Sequence, residues 1–389
     1  MRPRILFVDQ SGAPGGGELS LLEIAKHCRE ACKVVLLSDG PFRALLEEAA
    51  VPVAVLPAPP GFIGIARERG GLRELRALAP ILKLARRLAR LADGHDLIYA
   101  NTQKAMVVAA LAGRLTGKPV IWHLRDILSG DHFGRAQRWA AVRLANSWIS
   151  RVIANSTATA EAFVTAGGDR ARVTVVYNGI DASTCGQLSD ERRMRLRADL
   201  GLGQEPLVAA VGRLSPWKGQ HVLIDALPHL PGVHALIVGA ALYGEDAYAE
   251  KLRRQVTALD LADRVHFLGF RSDVFDLMSL ANAVVHTAVA PEPFGRVLVE
   301  GMLARRPVVA SRAGGAVEVI EDGISGVLVA PNDPDALAQA LTELLSDESR
   351  CRRIAANGYA RARRHFSLDA MLANVEREVA SVLAKNSCP

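Results

Sequence analysis

Aromatic residues make up only 5% of this 389-residue sequence, and no basic run is interleaved with them. A groove for single-stranded nucleic acid needs stacking rings beside cations, so nucleic acid is not an expected partner. Cysteine is scarce and odd in number: Cys28, Cys32, Cys185, Cys351 and Cys388. None pairs with a histidine at metal-ligand spacing, which leaves reduced thiols, and Cys28 and Cys32 are expected to share one buried helical face. No apolar run approaches the ~20 residues that cross a bilayer. The four apolar residues Ile5 to Val8 ahead of Asp9 are too few for a signal peptide. The expected location is cytoplasmic, either free or peripheral at the inner face of the membrane. A dinucleotide G-x-G-x-x-G is missing too, since neither Gly12 nor Gly15 begins one, and that weakens a dehydrogenase reading.

What is present is the composition of a globular protein, 50% hydrophobic and 23% charged, at a length that suits two or three domains. A net charge of +6 and a pI of 9.2 fit an anionic partner without choosing one. Short apolar runs alternate with helical patterns, which predicts parallel sheets covered by helices on both faces. The predicted strands of the first half are 5–8, 34–37, 53–56, 97–99, 120–122, 152–154 and 173–176. Asn178-Gly179-Ile180-Asp181 breaks the pattern with a turn and a polar, charged stretch. Alternation resumes at 207–211, 235–238, 265–268, 283–287, 308–310 and 327–329. Two doubly wound domains follow, 1–182 and 183–366, with 367–389 as a terminal segment. Ligands of such sheets bind beyond the carboxyl ends of the strands, so a cleft between two facing domains is the expected site.

The most informative stretch is Glu292-Pro-Phe-Gly-Arg-Val-Leu-Val-Glu300. It reads as the turn after a buried strand and the start of a helix. The backbone near Phe294, Gly295, Arg296 and Val297 offers helix N-terminal N–H groups to a phosphate. Glu292 and Glu300 then stand on either side of it, roughly 10 Å apart along the helix at ~1.5 Å per residue. A nucleotide sugar has that layout, with hydroxyls at both ends of a diphosphate, and carboxylates accept from hydroxyls. The plainer alternative is a solvated loop acid and an ordinary first-turn acid.

Other motifs also fall after strands. Gly15-Gly16-Gly17-Glu18 follows the first strand and opens a helix, either close to a ligand or as a simple flexible loop. Trp122-His123-Leu124-Arg125-Asp126 places His123 at a strand's carboxyl end. Arg213 and Lys218, five apart in Gly-Arg-Leu-Ser-Pro-Trp-Lys-Gly, suit a diphosphate, the one as a fork and the other as a point charge. Gly314-Gly315 follows another strand and is expected to approach the same phosphates. Asp333-Pro334-Asp335 spells a D-x-D, but a helix cap with proline at the first helical position accounts for it, so no metal site is expected. Lys83, Arg86, Arg87 and Arg90 form a cationic stripe on a helix at 81–92, suited to anionic lipid or simply to solvent.

Together these motifs resemble the large family of retaining glycosyltransferases with two Rossmann-like domains, the GT-B architecture of glycosyltransferase family 4 (glycosyl transferases group 1). The resemblance spans nearly the whole chain and is most specific in the second half. It implies an N-terminal acceptor-binding domain, a C-terminal nucleotide-sugar domain and a final helix, Ser367 to Lys385, crossing back onto the first. By resemblance, Arg213 and Lys218 neutralise the donor diphosphate, Glu292 holds sugar hydroxyls, and Phe294 and Gly295 supply N–H groups. Glu300 holds the ribose, His123 lines the donor sugar, and Gly16 and Gly17 close over phosphate and acceptor. The implied reaction moves a hexosyl unit from a nucleotide-diphosphate sugar, a UDP-sugar by preference, to a glycan or lipid-linked sugar in polysaccharide biosynthesis. It proceeds with retention and needs no cofactor or metal, the nucleotide sugar being a co-substrate. A sugar-nucleotide epimerase of the same architecture and a non-catalytic nucleotide-sugar binding protein are the alternatives.

Overall fold

The computed structural model describes residues 2–59, 73–130, 133–185, 188–242 and 244–386. Residues 60–72 and Cys388 lie outside them. The chain forms two compact units, Met1–Gly179 with Leu368–Pro389, and Ile180–Ser367. The first crossing falls three residues ahead of the expected 182. The reason is that Ile180 N donates to Phe366 O at 3.0 Å, and Ile180 bridges Ser367, which draws residue 180 into the second unit.

The first unit is a parallel sheet of seven strands: β1 (Ile5–Asp9), β2 (Cys32–Leu36), β3 (Val53–Val55), β4 (Leu97–Ala100), β5 (Val120–Leu124), β6 (Arg151–Ala154) and β7 (Val173–Val175). Their order is β3-β2-β1-β4-β5-β6-β7. All residues of β1, β4 and β5 are buried, as expected of strands covered by helices on both faces. One face is sealed by the helices Arg73–Leu91, Gln103–Thr116 and Arg135–Trp148. The other is sealed by the helix Gly16–His27 and by the chain's final helix, Leu368–Asn386, which buries Met371, Val375, Val379 and Val382. Glu378 pairs with Arg151 at 3.0 Å to fix that last helix on the sheet. Cys28 and Cys32 do not share a helical face: the helix stops at His27, a 3-10 turn follows, and Cys32 opens β2.

The second unit is a parallel sheet of six strands: β8 (Leu207–Val211), β9 (His234–Val238), β10 (Val265–Gly269), β11 (Ala283–His286), β12 (Val308–Ser311) and β13 (Val327–Val329). Its order, β10-β9-β8-β11-β12-β13, reverses between β8 and β11, and that of the first unit reverses between β1 and β4. Such a reversal opens a crevice beyond the strand ends, because the loops on either side of it lead to opposite faces. In the second unit Arg213 and Lys218 follow β8 and Glu292 follows β11. In the first, the glycine loop follows β1 and Asn101 follows β4.

Candidate active site

In the second unit, the chain leaves β8 at Val211 and turns through the 3-10 segment Pro216–Lys218 to Gly219. Gly219 is left-handed at φ 68°, and a Cβ there would collide with the Thr287 carbonyl oxygen. Glycine therefore lets the Lys218 turn close onto the end of β11, where Val289 N donates to Trp217 O at 2.9 Å. This approach brings Lys218 Nζ within 2.6 Å of Glu292 Oε2. His286, the last residue of β11, reaches the same oxygen through Nε2 at 3.1 Å. Glu292 Oε1 makes no hydrogen bond among the described residues. Burial by itself would raise the Glu292 pKa, but the Lys218 charge and the His286 hydrogen bond outweigh it and hold the carboxyl well below its ordinary value.

Gly295, at φ 86°, precedes the helix Arg296–Leu303, whose first N–H groups have no intrahelical acceptor. Phe294 is buried edge-on against Phe366, with centroids 5.6 Å apart, and Val297 is buried in the first turn. Arg296 and Glu300 pair across one turn at 3.3 Å. Arg213 lies 3.4 Å from Glu245, so each of the two cations that follow β8 faces a carboxylate.

Gly314 and Gly315 differ from expectation. Gly315 N donates to Glu292 O at 2.7 Å, and a Cβ on Gly315 would stand 2.6 Å from Pro293 O. Gly314, at φ 59°, has room for no Cβ beside the Glu292 backbone. The pair packs against the turn that carries Glu292, and the Gly315 N–H is committed to that turn. Asp333 caps its helix, accepting from Ala336 N at 2.9 Å with Pro334 behind it. A cavity of about 760 Å³ opens beyond β9 and β10, lined by Leu214, Gly239, Ala240, Phe267 and Gly269 among others.

In the first unit Gly16 and Gly17 begin their helix after Gly15. Gly17 O accepts from Asn101 Nδ2 at 3.2 Å, and a Cβ on Gly17 would lie 2.9 Å from Arg125 Cδ. Arg125 is buried and central: Nε donates to Asn101 Oδ1 at 2.6 Å and Nη1 to Asn178 Oδ1 at 2.9 Å. Its Nη2 stands 3.2 Å from His123 Nδ1, which the Tyr99 hydroxyl also reaches at 2.7 Å. Guanidinium only donates, so Nδ1 is the acceptor and the neutral ring carries its proton on Nε2. Burial, then the Arg125 charge, keeps that ring neutral by pressing its pKa well below the usual histidine value. His123 lies inside β5, one residue short of its end, and its Nε2 is buried with no partner among the described residues. Asp9 accepts from Ser11 N at 2.9 Å and from Asn101 at 2.6 Å. Burial raises its pKa to about 6 against these bonds, and burial together with the Asp9 charge pushes Glu18 up to about 8.

Residues 14–184 match the family described as Glycosyltransferase Family 4, and residues 193–361 match Glycosyl transferases group 1. The structure of Anabaena Alr3699/HepE in complex with UDP-glucose superposes with a TM-score of 0.90 at 43% identity, over 98% of this chain and 100% of that one. The GDP-mannose-dependent alpha-(1-6)-phosphatidylinositol monomannoside mannosyltransferase of Mycolicibacterium smegmatis is 30% identical over 77% of this chain and 81% of its own length. This chain is a family 4 glycosyltransferase. Its two parallel-sheet units are the GT-B architecture of that family. As a transferase enzyme, it is neither the epimerase nor the non-catalytic binder of the alternative readings. The D-inositol 3-phosphate glycosyltransferase of Mycolicibacterium gilvum is 34% identical over 61% of this chain, which spans about half (54%) of that relative.

Several polar residues of this glycosyltransferase escaped the sequence reading. Asp9, Asn101, Asn178 and His286 all stand at or just after the carboxyl end of a buried strand or its turn. A polar residue closing an apolar run is the available signal, the same one that marks His123, Arg213 and Lys218. Glu245 had no such signal, because it belongs to a loop that only the fold brings to Arg213.

Proposed function

We propose that this enzyme transfers a hexosyl unit, with retention, from a UDP-sugar to a glycan or lipid-linked sugar acceptor in polysaccharide biosynthesis. The observation that carries the reading is Glu292: one oxygen is held by Lys218 and His286 while the other is left for a sugar hydroxyl. The UDP-glucose complex of HepE, at 43% identity, favours UDP over the GDP-mannose of the 30% relative. In this reading the diphosphate meets Arg213, Lys218 and the N–H groups at Phe294 to Val297, and Glu300 accepts from the ribose. The cavity beside Leu214 gives the base a seat.

The chemistry follows from charge. As the bond to the anomeric carbon lengthens, negative charge grows on the diphosphate and positive charge on the sugar ring. Preorganised cations and helix N–H groups stabilise the first, and they need no reorganisation during the step. The acceptor hydroxyl attacks from the same face and passes its proton to the departing diphosphate. His123 offers its buried Nε2–H to a sugar hydroxyl, and Gly16 and Gly17 keep the first helix turn open to phosphate or acceptor.

The acceptor side is read from charge as well. Lys83, Arg86, Arg87 and Arg90 are exposed on the helix Arg73–Leu91, Arg114 on the helix Gln103–Thr116 beside it, and Arg135 and Arg143 on the helix Arg135–Trp148 that follows in the same layer. None of the seven forms an ion pair among the described residues, and residues 79–91, 103–116 and 135–148 contain no Asp or Glu. Trp139, 66% exposed, stands among them. This layer supports contact with an anionic membrane carrying the acceptor.

The test is a thermal-shift screen of UDP-glucose, UDP-galactose, GDP-mannose and ADP-glucose, followed by NMR of the product's anomeric configuration. A ligand at a hundredfold its Kd stabilises by about 2.7 kcal/mol. A shift with UDP-sugars and a retained anomer are expected. A response to GDP-mannose alone overturns the UDP assignment, and an inverted product overturns retention.

A further inference from the structure

His286 is a buried group that touches none of the reacting atoms in the chemistry above. It is 4% exposed, its Nε2 is bound to Glu292 Oε2, and its Nδ1 is buried with no hydrogen-bond partner among the described residues. A carboxylate only accepts, so Nε2 carries the proton in this contact, and the tautomer is fixed by it. Glu292 has three side-chain torsions to hold. Lys218 restrains the carboxylate as a point charge on a flexible stem, which sets where the charge lies better than how the group is turned. In the reading above a donor diphosphate competes for Lys218, whereas His286 is buried as the last residue of β11 and has no contact with the diphosphate in that reading.

We propose that His286 is the positioning residue for Glu292: it pins Oε2 so that Oε1 faces the donor sugar, and thereby sets preference for the sugar over the bare nucleotide. The inference rests on the reading of Glu292 as the sugar-holding acid. Orientation of a hydrogen-bonding group is what separates a hydroxyl correctly placed from one that is not, because the misplaced pair leaves buried polar atoms unmatched.

The experiment compares the full chain with His286→Leu, His286→Gln and Glu292→Gln, measuring Kd for UDP and for UDP-glucose by calorimetry and kcat and KM for the donor. With GDP-mannose as the responding donor, the same ratio is taken against GDP. In His286→Leu the nucleotide Kd stays within about twofold, while the preference for the sugar nucleotide falls by about tenfold or more and kcat/KM by about 10- to 100-fold. His286→Gln, whose amide reaches Oε2, recovers most of both. Should the leucine variant fail to fold, His286→Asn, too short to reach Oε2, takes its place. An unchanged preference ratio in the leucine or asparagine variant overturns the inference, as does a glutamine variant no better than leucine. Glu292→Gln separates the two readings: if it is impaired while His286→Leu is normal, only the role of His286 falls. If it behaves as the intact chain, the role of Glu292 falls and takes this inference with it.

Discussion

Lys218 and Glu292, 74 residues apart in sequence, stand 2.6 Å apart at the point where the strand order of the second sheet reverses. Both side chains are largely withdrawn from water, at 17% and 11% exposure, so neither charge is tolerable alone. In the proposed function the pair is also poised for exchange, since a diphosphate at the helix N-terminus would be a second partner for the cation.

Lys218→Ala therefore has two separable effects. Stability falls by about 3 kcal/mol, because a buried carboxylate loses its counter-charge, and turnover falls by about a hundredfold or more, because the leaving group loses a cation. Urea unfolding and steady-state kinetics read the two. Lys218→Ala/Glu292→Gln recovers most of the stability and none of the turnover. If the double variant is as unstable as the single one, the pair is not the source of the loss.

Unit one has its own pH dependence, of opposite sign to that of Glu292. Asp9 and Glu18 rise from ordinary values of 3.8 and 4.5 to about 6 and about 8 on folding, so the folded unit favours their protonated forms. Their contribution to stability is full below about pH 4 and is lost as pH climbs through about 6 and then about 8. The Glu292 carboxyl is depressed, so its contribution is present above its ordinary 4.5 and is lost as pH falls. Glu18→Gln should flatten the decline of Tm between about pH 5 and 8. A profile parallel to that of the intact chain would count against a raised Glu18 carboxyl as the source of the decline.

The sheets were legible in the sequence because buried parallel strands read as short runs of Val, Ile, Leu and Ala, and each of the thirteen predicted runs overlaps a strand. Boundaries slipped where a polar residue still belongs to a strand, as with His123 inside β5. The partners of the site residues were not legible. Arg213 facing Glu245, or His286 sharing an oxygen with Lys218, depends on loops that follow different strands. Gly314 and Gly315 show the reverse case: glycines after a strand suggest a ligand, while the close neighbour the structure shows is the chain's own backbone.

Gly314→Ala tests that correction. The residue is left-handed and has the Glu292 backbone against it, so a methyl must displace the turn that carries the carboxylate. A loss of at least about 2 kcal/mol is expected from strain and overpacking together, with donor KM rising alongside. Unchanged melting and KM would return the glycine pair to the ligand.

Chelation is a further test of the charge assignments. Asp333 is occupied as a helix cap, and Arg213 and Lys218 are assigned the neutralisation of the diphosphate. Turnover in EDTA should equal turnover without it. Strong inhibition reversed by a divalent ion would reassign part of that neutralisation to a metal.

The cationic layer of unit one makes the prediction with the widest consequence. Seven exposed cations without an ion-pair partner among the described residues stand on three helices whose residues 79–91, 103–116 and 135–148 hold no acid, which makes this layer locally basic. Each basic residue near an anionic bilayer contributes about 1 kcal/mol, and an interfacial tryptophan adds apolar burial that salt does not screen. Vesicles containing 30% anionic lipid should sediment the intact chain at low salt, whereas Arg86→Glu/Arg87→Glu/Arg90→Glu should remain in solution. Trp139→Ala should weaken binding by a factor that persists at high salt, which separates insertion from simple attraction. The charge-reversed enzyme should keep its rate on a water-soluble acceptor and lose it on the same sugar presented by a vesicle. Equal loss on both acceptors would mean that the layer shapes the fold and not the encounter.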